Sequence, residues 1–222
     1  MPNSLDLSRT AIWFKNPGPD NDVVLSSRVR LGRNLAGFPF PQTMTQEQES
    51  RARDQILDAF KNLDPSSGYT PYILDDLRLL DVKLLLERNI ITQEYSLGKN
   101  KAVVFDSTGS VSVMINETDH LKMAAIQGGN RLKEAWQAVD SLDTALDEKL
   151  DYAVSLEWGY LGPFLTGVGT QMRASLMLHL PALVFTALIS KAVKTIASFG
   201  LSIKGFFADG EESLGDIYQI SN

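Results

Sequence analysis

The sequence predicts an α+β fold, an antiparallel sheet with helices packed around it, and three observations carry that prediction. Two short alternating runs, KAVVFD (101–106) and SVSVMIN (110–116), are separated by Ser107, Thr108 and Gly109 and read as a β-hairpin. Two stretches upstream repeat leucine or isoleucine at helical intervals. A later run, RASLMLHL (173–180), alternates Ala174, Leu176, Leu178 and Leu180 with Arg173, Ser175, Met177 and His179, which predicts a strand with one core face and one site face.

Taken in order, residues 1–21 form a polar lead with one apolar pair, Ile12 and Trp13, and a Pro/Gly turn at Asn16 to Pro19; it is expected to lie against the core. Val23 to Leu31 is rich in β-branched residues and reads as a strand. Thr45 followed by Gln48 forms a capping box, and Ile56, Leu57, Phe60 and Leu63 make Thr45 to Leu63 an amphipathic helix that DPSSG (64–68) ends. Asp75 to Glu87 is a second helix. After the hairpin, Arg131 to Ala138 and Leu142 to Leu156 read as helices, and GYLGPFLTGVGT (159–170) as a glycine-rich loop. Pro181 suits the first turn of a helix running to about Phe199, with Gly200 as its cap. Leu201 to Phe207 and Ile217 to Ile220 are further strands, joined by the acidic loop ADGEESLGD.

Composition narrows the function classes. With 222 residues, 44% hydrophobic and 22% charged, the chain reads as a globular, cytoplasmic protein with a full core. The longest apolar run, Leu180 to Ile189, is interrupted by Pro181 and Thr186 and falls short of the roughly 20 residues a membrane span needs. A net charge of −6 argues against nucleic-acid binding, so any anion site must be local. Zero cysteines and two histidines leave no zinc-type cluster and no metal site. His179 reads as structural, and His120 as a positioned group that is not a nucleophile.

The stretch that organises the chain is DVVLSSRVRLGRNLAGFPFP (22–41). On a strand, Ser26, Arg28 and Arg30 share one face, while Val23, Leu25, Val29 and Leu31 take the other. Two guanidinium groups two residues apart stand roughly 6.5 Å from each other, close to the spacing of neighbouring phosphates in a polyphosphate. That is an anion clamp on a rigid element; the competing reading is an edge strand whose arginines face water.

This stretch, opened by Asp22 and with Trp13, Gly18 and Pro19 before it, resembles the signature of the phosphagen (ATP:guanidino) kinases, and most closely the catalytic domain of bacterial protein-arginine kinases. SVMINETDH (112–120), LDYAVSLEWGYL (150–161), VGTQMRASLMLHLPAL (168–183) and GDIYQISN (215–222) follow in the family's order. The resemblance implies one catalytic domain over 1–222, built on a large antiparallel sheet with helices on its outer face. It also implies that the helical dimerisation domain of active relatives is absent from this chain.

Phosphoryl transfer from ATP to a guanidinium requires a clamp on the triphosphate, neutralisation of the charge spreading over the transferring oxygens, and an in-line acceptor nitrogen. The guanidinium has a pKa of about 12.5 or more, so carboxylates must orient it and accept a proton. By resemblance, Arg28, Arg30 and Arg173 hold the phosphates of ATP, which carries Mg²⁺, and Ser27 and Ser175 offer nearby hydroxyls. The matching segments extend the nucleotide set to Ser26, Val29, Ala174, Leu176 and Met177. Lys122 and Lys204 replace two further arginines of the family, keeping charge but losing the planar fork. Asn89 replaces a histidine beside the adenine. In the acidic loop Asp209 replaces a glutamate and Ala208 a glycine; a solvated turn is the other reading of that loop.

The acceptor side departs further. The family's Asn-Glu-Glu-Asp-His motif reads Asn116, Glu117, Thr118, Asp119, His120 here, so the essential carboxylate falls at Thr118. On a continuing strand Glu117 and Asp119 point to the opposite face and do not substitute for it, unless a bulge intervenes. The reactive cysteine of the glycine-rich loop is replaced by Phe164, or by Leu165 if the loop aligns one residue later. Two readings follow: a kinase phosphorylating arginine on a protein or a free guanidino compound, with Glu117, Thr118 and Asp209 as a degenerate acceptor site and weak or lost activity; or a nucleotide-binding pseudokinase serving as regulator, interaction domain or homo-oligomer partner.

Overall fold

Alternation of small polar, cationic and β-branched residues makes Val24–Arg33 the first strand, β1. Val29 and Leu31 are buried, whereas Arg28 and Arg30, which alternate with them, are half-buried, as a two-residue period requires. Val23 lies just before the strand and is 40% exposed, so the strand starts one residue later than the sequence predicts. The computed structural model describes residues 12–64, 66, 68–205 and 213–222.

Helix α1 (Gln46–Lys61) carries the predicted capping box: Thr45 accepts from the Gln48 N–H, and the Gln48 side chain accepts from the Thr45 N–H. It buries Ala52, Ile56, Leu57, Ala59 and Phe60, and each large apolar side chain buried this way contributes about 1.5–3 kcal/mol. The predicted second helix is shorter: a 3-10 turn at Leu74–Asp76 precedes α2 (Leu79–Glu87). Leu77 and Arg78 are extended between them, and Arg78 clasps Asp81 in the first turn of α2 with two hydrogen bonds of 2.8 and 3.0 Å.

Strand β2 (Thr70–Ile73), helix α3 (Gln93–Ser96), and strands β3 (Ala102–Phe105), β4 (Val111–Ile115) and β5 (Leu121–Gly128) follow. The predicted hairpin is present, with Val103 opposite Met114 and Val104 opposite Val113. Leu74, Leu85, Ile90, Ile91, Tyr95, Val103, Phe105 and Met114 form one core cluster. The Tyr95 hydroxyl sits against the carbonyls of Ala102 and Ile115 and accepts the Ile115 N–H, which satisfies it inside that core.

The two helices expected over 131–156 are one, α4 (Leu132–Asp147). Ala135, Val139, Leu142 and Leu146 continue a single buried stripe, so nothing interrupts it. Beyond Leu150 the chain is held open by the Ala153 N–H donating to Asn34 O at 2.7 Å and by the short pair β6 (Val154–Ser155) and β7 (Gly159–Tyr160). Strand β8 (Met172–His179) matches expectation in extent, yet its leucine face is only half-buried and Ser175 is its one buried side chain. The predicted helix 181–199 is two, α5 (Pro181–Phe185) and α6 (Ile189–Ser198), broken where Ala187 adopts φ +55°. Gly200, at φ +76°, ends α6 as expected, and β9 (Ser202–Gly205) and β10 (Ile217–Ser221) complete the list.

Among the described residues the sheet has eight strands in the order β2-β3-β4-β5-β1-β8-β10-β9, an antiparallel sheet with helices around it. The described residues divide into two compact units, one comprising those of 12, 30–125 and 137–172, the other those of 13–29, 126–136, 173–205 and 213–222. Strands β1, β5 and β8 run through both. In the second unit the lead turn meets backbone directly: a side chain at Gly18 would strike Gly128 O at 2.0 Å, and Asn130 N donates to Pro19 O at 2.8 Å. No described helix is long and apolar enough to cross a membrane.

Candidate active site

In the second unit the cationic side chains hang from β1, β8 and β9. Arg173, exposed at the start of β8, directs Nε and Nη2 to Ser221 Oγ at 3.3 and 2.9 Å. Ser221 in turn lies 2.8 Å from Ser202 Oγ, so a hydroxyl pair braces the guanidinium without neutralising it. Lys204 is exposed on β9, where it faces Gln219 across the ladder. Ser175 Oγ donates to Arg28 O at 3.5 Å, Leu176 and Met177 pair with β10, and the Ala174 N–H donates to Asn222 Oδ1 at 2.9 Å just beyond it. Ser26 is buried.

Ser27 has a different occupation from the one its position suggests. Its hydroxyl donates to Gly129 O at 2.7 Å and accepts the Arg131 N–H at 2.9 Å, so both of its roles are filled by the start of α4. Arg30 and Val29 straddle the boundary between the units on β1. Asn89, φ +56°, is the exposed residue that ends α2, a place where asparagine is favoured for its tolerance of the left-handed region. Asp209 and Ala208 lie outside the described residues.

In the first unit, residues 116–120 are not the strand continuation that the sequence suggests. Asn116 takes φ +59°, its N–H donates to His120 O and the Glu117 N–H to Asp119 O, and the chain turns back into β5. This tight turn gathers side chains that a strand would separate. The Glu117 carboxylate accepts from the Thr118 N–H and hydroxyl and from Lys122 Nζ at 2.8 Å, while Asp119 Oδ2 lies 3.4 Å from Thr118 Oγ1. Burial opposes the ionisation of Glu117, but Lys122 and Thr118 outweigh it and hold the carboxyl below its usual range. Burial moves Asp119 the other way, above its usual range, against the bond from Asn34. Lys122 therefore spends its charge on Glu117.

Residues without a sequence signal hold this turn. Asn34 donates to Asp119 Oδ1 at 2.7 Å and to Leu161 O at 3.0 Å, and its Oδ1 accepts the His120 N–H at 3.0 Å. Fully buried His120 is pushed down to about 4 by desolvation, so the ring is neutral at pH 7. Arg33 forms a buried double hydrogen bond with Asp143, lies 3.6 Å over the Tyr160 ring, and donates to Thr170 O at 3.1 Å. It joins α4 to the end of the glycine-rich loop. Phe164 and Leu165 in that loop are 58% and 94% exposed.

The profile of a family described as ATP:guanido phosphotransferase, C-terminal catalytic domain, matches residues 51–222. The chain belongs to the ATP:guanido phosphotransferase family. Curated relatives named protein-arginine kinase include one from Halothermothrix orenii, 39% identical over 95% of this chain and 60% of its own length. Another, from Bacillus subtilis, is 37% identical over 95% of this chain and 58% of its own. The chain spans about three fifths of the length of these relatives. Among solved structures, a taurocyamine kinase from Schistosoma mansoni with bound transition state analog components is similar at a TM-score of 0.82 and 26% identity, over 100% of this chain and 32% of that one. Lombricine kinase, at a TM-score of 0.80 and 20% identity over 100% of this chain and 64% of that one, shares the fold. The eight-stranded sheet is thus the phosphagen-kinase sheet.

Proposed function

We propose that this phosphagen-kinase domain, of protein-arginine kinase type, binds ATP and is weak or silent in transferring its γ-phosphate to an arginine guanidinium. Arg28, Arg30 and Arg173 serve the phosphates, with Lys204 adding charge. The donor set on that side is cationic and fits phosphate oxygens, so Mg²⁺ enters this reading as the ion that ATP carries, neutralising charge on the phosphates. Among the described residues no group of three or more His, Asp or Glu side chains is spaced to hold a metal.

One observation carries the reading of weakened transfer. Thr118 stands where a carboxylate is needed, and the neighbouring carboxylate, Glu117, is turned onto Lys122 and Thr118 rather than left for an acceptor. Loss of a general base costs roughly 10²- to 10⁴-fold. A nucleotide-binding pseudokinase that regulates a partner is the second reading, favoured by the exposed apolar Phe164 in the loop expected to face the acceptor. MgATP is expected to raise the melting temperature of the wild-type chain; no shift would sink both readings. Robust ATP-dependent phosphorylation of arginine, lost in Arg173→Ala, would reject the weakened-kinase reading while leaving nucleotide binding in place.

A further inference from the structure

Gln171, between the glycine-rich loop and β8, has none of the roles assigned above, yet its backbone and its side chain are both constrained. Its φ of +50° lies in the left-handed region that favours glycine. Its backbone is fixed from two sides: Gln171 O accepts the Gly32 N–H at 3.2 Å, and the preceding Thr170 O is held by Arg33, itself clamped to Asp143. The carboxamide is wedged between two glycines. A side chain at Gly32 would begin 2.3 Å from Gln171 Oε1 and 2.9 Å from Asp119 Oδ2, and one at Gly162 would begin 2.7 Å from Gln171 Nε2. Nε2 is buried and has no hydrogen-bond partner among the described residues.

A strained backbone and an unpaired buried amide in one residue persist only where the surroundings enforce them, and such residues concentrate at ligand sites. The surroundings here are the acceptor turn. Asp119 Oδ1 is occupied by Asn34, whereas Oδ2 lies 3.4 Å from the Thr118 hydroxyl, which donates to Glu117, so Oδ2 keeps the capacity to meet a donor, and Gln171 Oε1 stands within reach of the same point above Gly32. A guanidinium N–H seeks that kind of oxygen.

We propose that Gln171 is a specificity-determining plug: its side chain fills the space beside Asp119 that a guanidinium would enter, and so closes the acceptor side to small guanidino compounds. The proposal rests on the reading of the acceptor as a guanidinium. Isothermal titration of L-arginine into the wild-type chain, Gln171→Gly and Gln171→Ala tests it, with MgATP titrated into each protein in parallel. Glycine removes the plug and suits the backbone; alanine removes the plug and keeps the strain. Both variants are expected to bind L-arginine about tenfold or more tightly than wild type, the scale of effect of opening a pocket by a few atoms. The gain is expected to vanish when Asp119→Asn is added. Unchanged arginine affinity in folded Gln171→Gly, or a gain in Gly that Ala lacks, overturns the plug. The MgATP arm judges the nucleotide-binding reading alone: a chain that binds arginine better but no ATP keeps the plug and loses that reading.

Discussion

The two units treat their charges in opposite ways. In the second unit Arg173 is braced by the neutral hydroxyl of Ser221, and among the described residues no carboxylate pairs with it. In the first unit the charges cancel internally: Lys122 on Glu117, Arg33 on Asp143. A group braced by neutral partners keeps its field for a ligand, whereas a paired group has already used it. On the proposed reading, the contrast is what lets phosphate binding persist where proton abstraction fails.

The largest effect should fall on the phosphate side. Replacing Arg28 and Arg30 together with alanine removes two charge-assisted contacts and is expected to weaken MgATP binding roughly 10²- to 10⁴-fold, read by titration calorimetry. A loss below about threefold would mean that β1 is not the clamp. Next, Asp143→Ala leaves Arg33 buried without its partner and should destabilise the chain by about 3–5 kcal/mol in urea unfolding. If the fold survives unchanged, Arg33 is not what holds the loop end.

The third effect is set by pH. His120 titrates near 4 in the fold against about 6.5 unfolded, so the unfolded chain binds the extra proton between these values. Its contribution is full above about pH 6.5 and is lost as pH falls toward 4, about 3 kcal/mol in all. His120→Gln should flatten the melting temperature across that window; an equally steep profile would assign the acid sensitivity elsewhere. Smallest is Lys122→Met, expected to cost about 1–2 kcal/mol because the pair is only partly buried. NMR titration should show Glu117 moving upward, and no movement would remove Lys122 as the cause of its low value.

Elements were legible where chemistry and periodicity agreed. Thr45 and Gln48 announce α1, and the run around Ser107 to Gly109 announces the β3–β4 hairpin. Strands β2 and β5 gave no clean alternation, β5 because most of its residues are buried on both faces. The break at Ala187 has no glycine or proline to mark it. The turn at 116–120 did carry a signal, since asparagine is among the residues that tolerate the left-handed region Asn116 occupies. Reading it as strand concealed the meeting of Glu117, Thr118 and Asp119. Arg33 and Asp143 are 110 residues apart, and Gln171 is marked by a backbone angle that composition does not encode.

The central claim is that phosphate binding persists where transfer does not. Phosphorus NMR of the wild-type chain with MgATP and excess L-arginine tests both in one tube. The account predicts ATP resonances broadened by binding and no phosphoarginine signal above the background without protein. A phosphoarginine signal that grows steadily and disappears in Arg173→Ala would contradict it.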